Sequence, residues 1–241
     1  MSGHSKWNNI KHKKEKADAA KAKIFTKIGK EMAVAIKAGG PDPNNNSKLR
    51  DLIAKAKANN VPNDNIQRTI KKFTEAGDIN FEEITYEGYG PSGVAIIVET
   101  STDNRNRTAG NVRAWFNKYG GNLGQTGCVS YLFEEKGVIT IVDEDEELDE
   151  DKLMEDALEA GAEDIRNDEG EYSIYTTPAD LDAVRDAIIA LGYKISTADV
   201  AKVPSTYVEL TSDDDIENME KMLDKFNEDD DVNAVYHNWN V

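Results

Sequence analysis

The sequence predicts an α+β protein: a basic three-helix N-terminal domain followed by two ferredoxin-like α/β sandwich domains, one inserted into the other. Three observations lead there. Up to residue 77 the apolar residues recur at helical spacing. From residue 78 short β-prone runs alternate with helical patterns. The chain then ends in a β, α, β tail that has no partner of its own, while an earlier segment lacks a closing helix and strand. The expected domains are 1–77, a basic arm and helical domain; 78–133 with 204–241, a discontinuous α+β domain; and 134–203, an inserted acidic α+β domain.

The first helix begins at about Lys16, where Lys16, Lys23, Lys27, Lys30 and Lys37 fall along one side. Ala17, Ala20, Ile24, Ile28, Met32 and Ala35 share the period but point roughly 120° away, so one face packs and the other meets anions. Ahead of it, Lys6, Lys11, Lys13 and Lys14 interleave with His4, Trp7 and His12, placing cations beside flat rings in an arm too polar to bury itself. The run GGPDPNNNS ends the helix. A second covers Lys48–Asn59 on Leu49, Leu52, Ile53 and Ala56. The third, Asn63–Glu75, buries Ile66, Ile70 and Phe73, presents Arg68, Lys71 and Lys72, and stops at Gly77.

Strands are expected at ITYEGY, VAIIVET and CVSYLFE, with a helix from about Arg107 to Tyr119 before the last. VAIIV is apolar at consecutive positions, as a strand covered on both faces would be. From Gly137 the pattern restarts: strand VITIV, an acidic loop, helix Lys152–Ala160, strand EYSIYTT, helix Ala179–Leu191 capped by Thr177, strand YKISTADV. The tail reads strand TYVEL, helix Asp213–Phe226 capped by Ser212, strand VNAVYHNW. If the tail completes the 78–133 segment, TYVEL should form a ladder with the strands between Ile84 and Thr100.

Composition bounds the function. No run approaches the roughly 18 apolar residues of a membrane span, and the N-terminus is too charged for a secretory signal. Cys128 is the single cysteine, so no intrachain disulfide or cysteine-based zinc site is expected, and the chain reads as cytoplasmic. The net charge of -17 conceals a division: residues 1–75 carry 17 Lys and Arg against 7 Asp and Glu, the remainder 12 against 39. A polyanion would be drawn to one end and repelled from the other.

Reactive groups are sparse. His4, His12 and His237 are the only histidines, and no HExxH helix, GxSxG elbow or P-loop occurs. No catalytic residue, metal or cofactor is expected. The acidic runs Asp143–Asp151 and Glu228–Asp231 lack the alternating ligands of a calcium loop and read as solvated. Cys128 reads as a packing residue. Arg105, Arg107 and Arg113 cluster at a helix start; they suit phosphate, or else they pair with Asp103 or the acidic insert, and the sequence leaves both open.

The motifs GHSKW, IFTKI, YEGYGP, DNRNRT and GGNLG, in that order along the chain, resemble the YebC/PmpR family of probable transcriptional regulators. The resemblance implies a helical N-terminal domain and two α+β domains, one interrupting the other, in a cytoplasmic DNA-binding regulator. Related proteins act in translation, assisting ribosomes on proline runs, so ribosomal RNA is the alternative partner. On either reading Lys6, Trp7, Lys11, His12, Lys13, Lys14, Lys23, Lys27 and Lys30, with Arg105 and Arg107, are the candidate nucleic-acid contacts. The acidic insert is a candidate surface for a basic protein, and no membrane is involved. A metal-dependent nuclease is the reading of another class, which no carboxylate constellation supports.

Overall fold

The structure, a computed structural model, describes residues 17–75, 80–143, 148–168 and 170–240. Its α+β chain opens with three helices, α1 Ala17–Gly39, α2 Ser47–Ala58 and α3 Asn63–Glu75. Ile28, Met32, Leu49, Ala56 and Ile66 are fully buried between them, and Ile24, Ile53, Ile70 and Phe73 pack on this core. Asn46 turns the corner from α1 to α2. Its Oδ1 accepts from the Leu49 N–H at 3.1 Å, and its Nδ2 donates to the Ala35 and Gly40 carbonyls at 2.8 Å each. One side chain thus satisfies orphan groups at both helix ends.

β1 Glu82–Tyr89, β2 Ala95–Thr102, α4 Arg105–Lys118 and β3 Asn122–Leu123 follow. Next come β4 Phe133–Val142, α5 Glu150–Glu159, β5 Asp164–Asp168, β6 Glu171–Thr176, α6 Leu181–Ala190 and β7 Thr197–Pro204. The chain closes with β8 Val208–Glu209, α7 Asp213–Glu228, β9 Val232–His237 and β10 Trp239–Asn240. Two compact units result, residues 132–207 in one and 17–131 with 208–239 in the other. The first holds a four-stranded antiparallel sheet in the order β5-β6-β4-β7, with α5 and α6 packed on it through Leu153, Ala157, Leu181, Val184 and Ile188. The second holds a sheet in the order β3-β1-β2-β9, and within it Val94 to Val98 are all 0% exposed. No helix among the described residues is long and apolar enough to cross a membrane.

Several elements differ from the sequence reading. TYVEL makes no ladder with β1 or β2; it shortens to β8, which pairs with β10 in a separate ribbon. Both edges of β2 are already taken, by β1 on one side and by β9 in the register Ile96 to His237 on the other. Nor is CVSYLFE a strand. Glu87, buried in β1, accepts the backbone N–H groups of Gly127, Val129 and Ser130 at 2.8–2.9 Å, so donors a ladder would use go to a side chain. Residues 130–132 form a single 3-10 turn and the strand begins at Phe133. The third strand of that sheet is instead β3, two residues inside a glycine run. A Cβ on Gly88 would lie 2.5 Å from the Asn122 carbonyl oxygen, so only glycine admits this approach. β5, polar and at a sheet edge, has no apolar alternation to announce it. α6 starts at Leu181 rather than at Ala179, with Thr177 and Asp180 bonded to each other just ahead of it, and Ser212 makes no side-chain cap to α7.

Candidate nucleic-acid interface

Both faces of α1 are occupied. Ile28, Met32 and Ala35 enter the helical core. Lys23, Lys27 and Lys30 reach a single short segment, residues 227–231, where α7 ends and β9 begins. Lys23 Nζ donates to the Glu228 carbonyl and lies 3.8 Å from the Asp230 carboxylate. Lys27 Nζ donates to the Asn227 carbonyl at 3.2 Å; Lys30 Nζ donates to the Asp230 carbonyl at 3.0 Å and to Asp231 Oδ1 at 2.7 Å. The 227 and 228 carbonyls close a sixteen-residue helix, where the peptide dipoles leave partial negative charge and no helical donor. The lysine stripe therefore meets anions, and they belong to this chain.

Asp231 is the centre of the cluster. It is buried, and its Oδ2 accepts from Arg107 Nε at 3.2 Å and Nη2 at 2.6 Å, from Thr102 Oγ1 at 3.1 Å and from Thr108 Oγ1 at 2.8 Å. Burial pushes its pKa up, but the bonds from Lys30, Arg107 and Thr108 outweigh that and hold it at about 2. Sequence dictates the geometry: β2 ends in Thr102, Asn104 caps α4 by accepting the Arg107 N–H, and Arg107 and Thr108 then sit on the first turn facing the start of β9. Arg107 also pairs with Asp103 at 2.8 Å, and hydrogen bonds from Arg107 to both carboxylates raise its pKa.

Of the candidate contacts, Lys23, Lys27, Lys30 and Arg107 thus converge on residues 227–231. Arg105 does not; it is exposed, 3.9 Å from Glu82. Lys6, Trp7, Lys11, His12, Lys13 and Lys14 lie outside the described residues. Lys37, Arg50, Lys57 and Arg68 are exposed and make no ion pair among the described residues. Arg50 and Lys57, seven apart, share one side of α2. The sequence reading missed Asp231 and its neighbours, taking Glu228–Asp231 for a solvated run. The available signal was complementarity between a lysine stripe and a run of four acids about two hundred residues later, which one sequence does not pair.

Comparison with known proteins places these residues in a family. The model of the TACO1/YebC protein N-terminal domain matches residues 5–76, and that of the TACO1/YebC second and third domain matches 81–239. A probable transcriptional regulatory protein of Agathobacter rectalis is 58% identical over 240 residues, covering 99% of each chain. One of the same description from Lachnoclostridium phytofermentans is 55% identical over 240 residues, again covering 99% of each. The crystal structure of a conserved hypothetical protein, Aq1575, from Aquifex aeolicus superposes with a TM-score of 0.83 at 44% identity, covering 98% of this chain and 97% of that one.

Proposed function

Because this chain belongs to the TACO1/YebC family, we propose that it is a nucleic-acid-binding regulator without enzymatic activity, a DNA-binding transcriptional regulatory protein of the cytoplasm. The observation that carries this reading is the division of charge, 17 cations against 7 anions in residues 1–75 and 12 against 39 beyond them. Lys37, Arg50, Lys57 and Arg68, exposed and without an ion pair among the described residues, supply phosphate contacts on the helical domain, joined by the cations of the first sixteen residues. The description of its relatives as probable transcriptional regulatory proteins supports the regulatory part.

Phosphate contacts carry no sequence information, and these same cations serve an RNA backbone equally well. A ribosome-associated translation factor is therefore the second reading. Crosslinking in cells, with sequencing of both the DNA and the RNA recovered, separates the two. Enrichment of promoter DNA supports the transcriptional regulator, and enrichment of ribosomal RNA replaces it with the translation factor. Metal-dependent cleavage of either polymer by the purified chain would contradict a non-enzymatic role.

A further inference from the structure

The apolar core of the helical domain lies in α1–α3 and the turns between them, from Ile24 to Phe73; beyond it, Phe73 meets Phe81 edge-to-face at 6.3 Å, and Ala33 of α1 is fully buried outside the cluster. What α1 extends toward the α7–β9 corner is cationic. Lys23 and Asp230 pair at 3.8 Å with side chains 30% and 66% exposed, and Lys30 and Asp231 at 2.7 Å with 15% and 4%. A further pair, Lys48 with Glu83 at 2.6 Å, joins α2 to β1 and is half-exposed. The hydrated pairs, Lys23–Asp230 and Lys48–Glu83, are individually weak and screened by salt, unlike apolar burial, whereas Lys30–Asp231 is largely buried and is the strong point of the contact. They also engage the groups a phosphate backbone would seek.

We propose that residues 227–231 act as an internal polyanion mimic, an electrostatic latch that holds α1 until nucleic-acid phosphates compete for Lys23, Lys27 and Lys30. The proposal rests on the nucleic-acid reading above and adds to it a closed and an open form. Only the open form exposes the lysine stripe, so the latch lowers apparent affinity by the fraction of molecules it keeps closed. Asp231 stays with Arg107, Thr102 and Thr108 in the open form, because those partners come from the same α+β domain. Lys23, Lys27 and Lys30 are released together, since each donates to residues 227–231, and Lys30 also leaves the Phe81 ring, 5.8 Å from its Nζ.

The test uses the full chain with Cys128→Ser, spin-labelled at Ala58→Cys on α2 and Glu220→Cys on α7, both exposed positions. Distance distributions are recorded in about 50 mM and about 500 mM NaCl, and with a duplex DNA or an RNA hairpin of roughly 30 nucleotides. The latch predicts one short distance at low salt and a second, longer population when salt is raised or either polymer is added. In a binding arm, Asp230→Asn raises affinity about threefold, the worth of one surface ion pair. Asp214→Asn, which removes the same charge at the exposed start of α7, changes affinity by less than half as much. Distances that stay put while polymer binds, or equal effects of the two substitutions, overturn the latch and leave the proposed function standing. A chain that opens with salt yet binds neither polymer overturns the proposed function, and competition for the stripe with it.

Discussion

Asp231→Asn isolates the energetics of the α1, α4 and β9 junction. The carboxylate is buried and carries a pKa of about 2 against an ordinary 3.8. At about 1.4 kcal/mol per unit, that difference is worth about 2.5 kcal/mol at neutral pH. A second route gives a similar figure. Removing one member of a buried pair costs about 3–5 kcal/mol, and the lower end applies because Arg107 stays 47% exposed and can rehydrate, while Lys30, 15% exposed, is stranded. We expect Asp231→Asn to destabilise the larger unit by about 2–3 kcal/mol at pH 7. The sign with pH follows from a depressed folded pKa. The contribution is complete above the unfolded value near 3.8 and is lost as pH falls toward 2, so the gap between wild type and variant should close across that window. Urea unfolding with Trp7→Phe leaves Trp115 and Trp239 as reporters, both in this unit. A variant within about 0.5 kcal/mol of wild type at pH 7, or a gap that does not shrink on acidification, would mean that Asp231 does not bind this junction together.

Three other outcomes follow. Replacing Lys11, Lys13 and Lys14 with Glu should abolish nucleic-acid association without changing the circular dichroism spectrum; a loss of folded signal would make the arm structural instead. Burial raises the pKa of Glu87, yet the N–H groups of Val129, Gly127 and Ser130 outweigh it and lower the net value, so Glu87→Gln should cost about 2 kcal/mol and free the amides of residues 127–130 to exchange. Since that pKa is depressed, the contribution holds above the ordinary glutamate range and fades in acid, and amide exchange compared at pH 7 and pH 4 checks it. In the smaller unit, a Cβ on Gly137 would collide with Thr176 Oγ1 and Leu181, so Gly137→Ala should destabilise that unit by about 2–3 kcal/mol. Hydrogen exchange should report this in β4 and β6 with the Trp115 emission unmoved.

The parts of the fold legible in the sequence are those governed by local periodicity. α2 and α3 lie within a residue or so of their predicted ends, because Leu49, Leu52, Ala56 and Ile66 face a single core, and the fully apolar VAIIV is a central strand. Legibility fails where a distant group takes over the backbone. CVSYLFE has strand composition, but Glu87, forty residues earlier, takes its N–H groups. TYVEL has it too, but β9 occupies the edge it would need. The candidate site divides in the same way. The helical period separates the lysines of α1 from its apolar face, which the sequence shows directly. Their partners at residues 227–231 depend on where the tail strand lands, and no local pattern encodes that. For Arg107 the sequence held open phosphate, Asp103 or the acidic insert, and the structure adds Asp231, outside that insert, as the closer partner.

On this otherwise acidic chain, the proposed function puts polymer binding on the cationic N-terminal region. The dissociation constant of the full chain for duplex DNA and for RNA, measured against NaCl concentration, probes that assignment when set beside a variant with Arg50, Lys57 and Arg68 changed to Glu. Counterion release predicts that affinity falls steeply and linearly on logarithmic axes, and that the variant's slope is shallower by about 0.9 for each phosphate it no longer neutralises. An affinity that stays level with salt, or a variant whose slope matches that of the wild type, would place polymer binding elsewhere.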